Sequence, residues 1–327
     1  MIMFCITDLQ IISTLSYSYQ FKDPLSLKEI KKRLVHRNLL PKGFCAQIND
    51  CSLEEIINYL EKIGLVIKEA GYYSLVSKEQ KDISKENFNE LILIKKQKLH
   101  NSTIIRKDVK NLLLFCLKIP WIKAIGVTGS VAVDSAAEKD DLDFLVITSK
   151  NRLWLSRAIL LIFSLIIGKK TTFWKHYLNN KIKDKWCFNL WLEEDTLALA
   201  HSKQNYFSAF ESIQIDWIYD TEDLQKKYFQ QNDWIRDFFH DVPWLKKSLF
   251  YQDNNSDNKN KPLISWLNKM IFLIEFRHLI KKNGIPDKNL SINQAWMHDD
   301  YSYCQYLDSW RKFNEYFQLY LRKLGDT

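Results

Sequence analysis

The chain has 327 residues, with 47 Lys and Arg against 39 Asp and Glu, giving a net charge of +8. Hydrophobic residues make up 46% and aromatics 14%, which excludes a disordered chain and allows two or three packed domains. The mild positive excess favours phosphate-bearing ligands, nucleotides or nucleic acids, but forms no dense basic stripe of the kind that holds nucleic acid by charge alone.

Cys5, Cys45, Cys51, Cys116, Cys187 and Cys304 form no CxxC pair and no cluster of zinc spacing, so no metal knuckle is expected. Scattered single cysteines suit a reducing, cytoplasmic compartment. Asp8 interrupts the apolar N-terminus and no basic segment precedes it, so a signal peptide is not expected. The apolar run from Ala158 to Gly168 is short of the ~20 residues a bilayer requires and is closed by Arg157 and Lys169. It reads as a buried helix, with no membrane partner.

The first 80 residues read as three helices and a hairpin. The first helix covers about Asp8 to Tyr17. Ser26 with Glu29, and Ser52 with Glu55, have capping-box spacing and open the second and third. Gly64 is placed to end the third, and two β-prone runs flank Ala70-Gly71. This order describes a winged-helix module over residues 1–80. Its third helix carries Glu54, Glu55 and Glu61 against Lys62 alone, which disfavours insertion into a nucleic-acid groove. Lys31, Lys32, Arg33 and Arg37 lie on the preceding helix. They either touch a phosphate backbone or form a solvated or protein-contact face.

Residues 81–120 form a basic helical linker ending at Pro120, with most of its lysines expected in solvent. Over residues 121–195 the pattern changes to strand (Ile122 to Val127), turn, strand (Leu142 to Ile147), apolar helix (Arg152 to Ile167) and strand (Trp186 to Leu192). This is a small α/β core with a mixed sheet. Residues 196–327 read as a helical domain interrupted by a polar loop from Asp253 to Lys261. Trp217, Trp234, Trp244, Trp266, Trp296 and Trp310 are expected to fill helical cores. The chain as a whole is therefore expected to be α+β.

Two patterns carry chemistry. Gly129-Ser130 follows a strand, and a glycine there lets backbone approach a phosphate closely. Val131-Ala132-Val133 then begins a helix whose first amides face the anion. After ten intervening residues comes Asp141-Leu142-Asp143. Strand residues two apart point to the same side, so the two carboxylates project together and call for compensation, which a divalent ion supplies.

Together, Val127-Thr128-Gly129-Ser130-Val131-Ala132 and Asp140-Asp141-Leu142-Asp143-Phe144-Leu145-Val146-Ile147 resemble the signature of the DNA polymerase β nucleotidyltransferase superfamily. The resemblance is to a bacterial branch with an N-terminal winged helix and unassigned substrate. It extends to Pro24-Leu25-Ser26-Leu27, Gly71-Tyr72-Tyr73, Arg152 to Arg157, Cys187-Phe188-Asn189 and Asn232-Asp233-Trp234. The resemblance implies transfer of a nucleoside monophosphate from an NTP to an acceptor hydroxyl on a small molecule, an RNA end or a protein. In that reading Asp141 and Asp143 bind two Mg²⁺ or Mn²⁺ ions, while Gly129 and Ser130 hold the β and γ phosphates.

The family's third carboxylate, from a neighbouring strand, corresponds here to Asn189, which can coordinate a metal but cannot accept a proton as a carboxylate does. Glu193, Glu194 or Asp184 substitutes if the backbone bends. Otherwise the site is slow or only binds nucleotide, which makes the chain a regulator. Arg152 and Arg157 pair with phosphate oxygens if their helix points its first turn at the site, and otherwise cap an apolar helix. Lys185 is a similar case.

Overall fold

The computed structural model describes residues 6–40, 52–76, 85–169, 186–239, 250–251, 262–283 and 285–297, with single positions 308, 311, 312 and 315 beyond them. Asp184, Lys185, Trp244, Trp310 and the loop from Asp253 to Lys261 lie outside the described residues.

In the N-terminal module, α1 (Ile6–Tyr19), α2 (Leu27–Lys32) and α3 (Leu53–Lys62) precede the hairpin β2 (Val66–Glu69) and β3 (Tyr72–Leu75). Both capping boxes form, with Ser26 and Ser52 each exchanging hydrogen bonds with the glutamate three residues on. The turn between β2 and β3 places Ala70 at φ 50° and Gly71 at φ 78°, the left-handed pair that joins twisted strands tightly. Leu25–Ser26 adds a short strand, β1, giving the three-stranded antiparallel order β1-β3-β2. Leu9, Ile12, Leu15, Leu25, Ile30, Ile57, Leu60 and Val66 belong to the core of this module.

The linker region is two helices, α4 (Lys85–Arg106) and α5 (Val109–Cys116). After it come β4 (Ile122–Thr128), the single turn α6 (Gly129–Ala132), β5 (Leu142–Thr148), α7 (Leu153–Ile166) and β6 (Trp186–Glu193). The remainder holds α8 (Tyr206–Gln214), β7 (Asp216–Asp220), α9 (Leu224–Gln231), β8 (Phe250–Tyr251), α10 (Pro262–Asn283) and β9 (Gln294–Trp296). The main sheet runs β7-β4-β5-β6-β9, with the two-residue β8 pairing outside β7. β4 is antiparallel to both β5 and β7, while β5 and β6 are parallel. The protein is therefore α+β, with an antiparallel and a mixed sheet.

The segment after residue 195 is not a separate helical unit. It contributes β7, β8 and β9 to the same sheet as the core. Asp216–Asp220 is only five residues long, and it becomes a strand by pairing with β4.

Period-two alternation sorts the sheet into two faces. Leu142, Phe144 and Val146 pack with α5, α7 and α10, whereas Leu145 and Ile147 pack with α8, α9 and the buried Tyr17 and Val35 of the first module. The apolar helix α7 is not wholly buried, since Ile162, Leu165 and Ile166 reach solvent. Among the described residues no helix is long and apolar enough to cross a membrane. Trp217 is buried as expected, but Trp266 is 59% exposed.

Several basic residues of the first module and linker are spent on internal contacts. Arg33 and Lys95, both buried, share Asp23 and Glu29. Lys32 donates to Gln214 on α8, and the Arg33 guanidinium lies over the Phe210 ring. This network joins the module to α4 and α8. Lys96, Lys107, Lys110 and Lys118 are exposed, as expected of most linker lysines, and Lys95 is a buried exception. On α3 the acidic residues Glu54, Glu55 and Glu61 are all exposed, beside Asn58, Tyr59 and Lys62.

Candidate functional site

Strand β4 ends where β5 and β6 begin, and in the sheet register Thr128 sits opposite Asp143, which sits opposite Cys187. The end of β4 and the starts of the parallel strands β5 and β6 therefore converge at one end of the sheet. Asp143 alternates with the buried Leu142 and Phe144, so its side chain faces the α8 side. Asp141 lies one residue before β5 and acts electrostatically on Asp143.

Gly129 turns the chain from β4 into α6 with φ 64°. A Cβ at this position would overlap Oδ2 of Asp143 and lie 3.1 Å from its Cγ. Only glycine meets both constraints, the left-handed backbone and the close approach. Ser130 donates its hydroxyl to Asp140 Oδ2 at 2.8 Å, and the Ala137 amide donates to the same oxygen at 2.9 Å. Asp140 thus closes the turn between Ser130 and β5. The Ser130 hydroxyl, expected on phosphate, holds that turn instead.

Asn189 is the extra residue of a β-bulge. Phe144 pairs with Phe188 and Leu145 with Leu190, leaving Asn189 unmatched between them. Its Nδ2 donates to Asp143 Oδ1 at 2.5 Å, and its Oδ1 accepts from the Cys187 thiol at 2.9 Å. Asn189, considered from the sequence for a third metal-side position, therefore stands beside Asp143 and presents it an amide donor.

A carboxylate that does come near Asp143 is supplied by α8. Glu211 accepts a hydrogen bond from the Gly129 amide and acts electrostatically on Asp143. Helix α8 reaches this position because Ile215, just after it, packs into the space left by Gly126 on β4. Burial is the main cause that pushes Asp143 up to about 7, with Glu211, Asp141 and Asp140 adding repulsion and the Asn189 amide opposing it. Burial pushes Glu211 to about 7 as well, against the Gly129 amide. Sequence reading missed Glu211. The only signal was a lone carboxylate in a helix otherwise lined by small and apolar residues (Ser208, Ala209, Phe210, Ser212, Ile213).

Glu193 and Glu194 do not substitute for Asn189. Glu193 lies opposite Thr148, at the far end of the sheet from Asp143, and accepts from the Arg152 and Leu153 amides at the start of α7. Glu194 accepts from the Lys150 amide. Arg152 and Arg157 also sit away from the site. The Arg152 guanidinium donates to Ser265 on α10, while Arg157 pairs with Glu275 and lies over the Trp154 ring. Both arginines serve the packing of α7 against α10.

Thr128, Gly129, Ser130, Asp143, Asn189 and Glu211 line one cavity of about 730 Å³. Its walls come from widely separated parts of the chain. Tyr17, Phe21 and Arg33 belong to the first module, Lys98 to α4, and Phe207, Phe210 and Tyr228 to α8 and α9. Trp296 and Met297 close one side, with the Lys203 ammonium 5.7 Å above the Trp296 ring.

No three His, Cys, Asp or Glu side chains among the described residues come close enough together to hold a metal ion by themselves. Mg²⁺ commonly takes one or two carboxylates and fills its remaining positions with water and substrate phosphates. Asp141 and Asp143 suit that kind of site, and the repulsion on Asp143 is what a cation would relieve. The chain matches no family model, no curated protein and no solved structure.

Proposed function

We propose that the protein is a metal-dependent nucleotidyltransferase, moving a nucleoside monophosphate from an NTP to an acceptor hydroxyl in this cavity. One observation carries the reading. Gly129 is packed against the carboxylate of Asp143 at the end of β4, on the floor of a cavity large enough for a nucleotide. A turn without a side chain beside the Asp143 carboxylate, with Asp141 close enough to act on it, leaves room for a phosphate chain next to a cation.

Asp141 and Asp143 would hold Mg²⁺ or Mn²⁺, which when bound supplies charge to the attacking and leaving oxygens. The Gly129 amide would receive a phosphate oxygen in place of the Glu211 carboxylate. Asn189 orients Asp143 through its amide, fixing which oxygen faces the cavity. Burial of Asp143 and Glu211 strengthens electrostatic contacts within the site. The aromatic walls exclude water from the reacting groups and accommodate a base. Incubation of the protein with labelled NTPs, Mg²⁺ and cell extract should yield a labelled acceptor, and Asp143→Ala should abolish the label. Labelling that survives Asp143→Ala would overturn the reading.

A second reading is a nucleotide-binding regulator with little or no transfer. Asn189 in place of a carboxylate and Glu211 on the Gly129 amide both favour it. It predicts calorimetric NTP binding without turnover. The acidic, exposed face of α3 gives no support to a nucleic-acid-reading role for the first module.

A further inference from the structure

Helix α4 presents one continuous stripe to the rest of the molecule. Phe88, Ile92, Lys95, Lys98, Ser102 and Arg106 recur at intervals of three and four residues. Each polar member but one is spent on a structural contact. Lys95 is buried between Asp23 and Glu29. The Ser102 hydroxyl accepts from the Ala136 amide at 3.1 Å and donates to the Lys98 carbonyl at 2.9 Å. Beyond it, Arg106 binds Asp134 and the Val131 carbonyl, and neighbouring Asn101 donates to the Ala136 carbonyl.

Lys98 is the exception. It is half-buried and lines the same cavity as Gly129, Ser130 and Ser135, yet its ammonium has no ion pair or hydrogen bond among the described residues. The contacts on either side of it fix its place. Lys95 ties α4 to the first module, while Asn101, Ser102 and Arg106 tie it to α6 and the turn after α6. An ammonium ordered by its helix, facing a cavity and left without a carboxylate, is suited to an anionic ligand.

We propose that Lys98 is the phosphate-binding cation of the cavity, gripping the terminal phosphates of a polyphosphate ester. This takes over the role that Arg152 and Arg157 suggested in sequence. The proposal rests on the nucleotidyltransferase reading for the nucleotide, but not for the polyphosphate.

The test is calorimetric titration of the full chain with α,β-methylene ATP and GTP in Mg²⁺, and separately with inorganic tripolyphosphate. Lys98→Ala should weaken binding of every ligand that wild type binds by about tenfold or more, and should lower its dependence on salt. Lys98→Arg should restore most of the affinity. Lys96→Ala, an exposed charge on the same helix, should change it little. If Lys98→Ala fails to fold by thermal melting, Lys98→Met retains the apolar stem and serves in its place. Wild-type affinity in a folded Lys98 variant would overturn the proposal. Lys98-dependent binding of tripolyphosphate without nucleotide binding would uphold Lys98 and remove the nucleotidyltransferase reading. Binding of neither ligand by wild type would remove both.

Discussion

Gly129, the first residue after β4, approaches Asp143 on β5 so closely that a single added methyl group on Gly129 would overlap the Asp143 carboxylate. The turn and the acid are one constraint. Gly129→Ala also meets a backbone at φ 64°, where an L side chain costs about 1 kcal/mol or more. The variant should lose stability by that order. It should lose transfer activity by about 10- to 100-fold, because Asp143 must shift. A thermal melt and a turnover assay on the same preparation check both.

Asp143 and Glu211 make stability depend on pH when no divalent ion is present. Unfolded carboxyls ionise near pH 4, whereas these two ionise at about 7 in the folded chain. Between those values the folded state holds protons that the unfolded state has released. Their contribution therefore makes stability fall as pH rises from about 4 to about 7, and levels off above that. The double variant Asp143→Asn, Glu211→Gln should flatten this slope relative to wild type and raise the melting temperature at pH 8. Each kcal/mol relieved corresponds to about 2–4 °C. Mg²⁺ should raise the wild-type melting temperature at pH 8 and leave the double variant unchanged.

Asn189→Asp would place a third carboxylate against Asp143. Without metal it removes the hydrogen bond that the amide donates and adds a like charge, so the melting temperature should fall. With Mg²⁺ or Mn²⁺ it should bind metal about tenfold more tightly, as an added anionic ligand does. Isothermal titration with Mn²⁺ distinguishes these effects. Equal metal affinity in the two proteins would show that the bulge does not direct this side chain at the cation.

Lys95 holds the first module to α4 through two buried carboxylates. Lys95→Met removes one cation and leaves Asp23 and Glu29 with Arg33 alone. Unfolding should cost about 3–5 kcal/mol less than in wild type, the usual effect of breaking a buried pair. A denaturant melt reads it directly.

Much of the fold could be read from local signals. The two capping boxes, the Ala70-Gly71 turn and the alternation in β5 each act within a few residues, and each forms. Strand β7 was missed because Asp-Trp-Ile-Tyr-Asp is a short run between helices, and its pairing with β4 is a long-range event. Gly129, Asp141 and Asp143 stood out because spacing along a strand dictates a shared side. Glu211 did not, since nothing near it in sequence records that Ile215 would pack into Gly126 and bring α8 over the turn. Arg152 and Arg157 were drawn to phosphate by their charge. The direction of α7, set by its packing on α10, turned them elsewhere.

The most direct test uses two labelled forms of the same NTP, one carrying label in the α-phosphate and the other in the γ-phosphate. With Mg²⁺ and an accepting extract, the acceptor should become labelled from the α form only. Pyrophosphate should appear in equal amount, and Asp143→Asn should stop both. Acceptor labelled from the γ form, or α labelling untouched by Asp143→Asn, would contradict nucleotidyl transfer at this site.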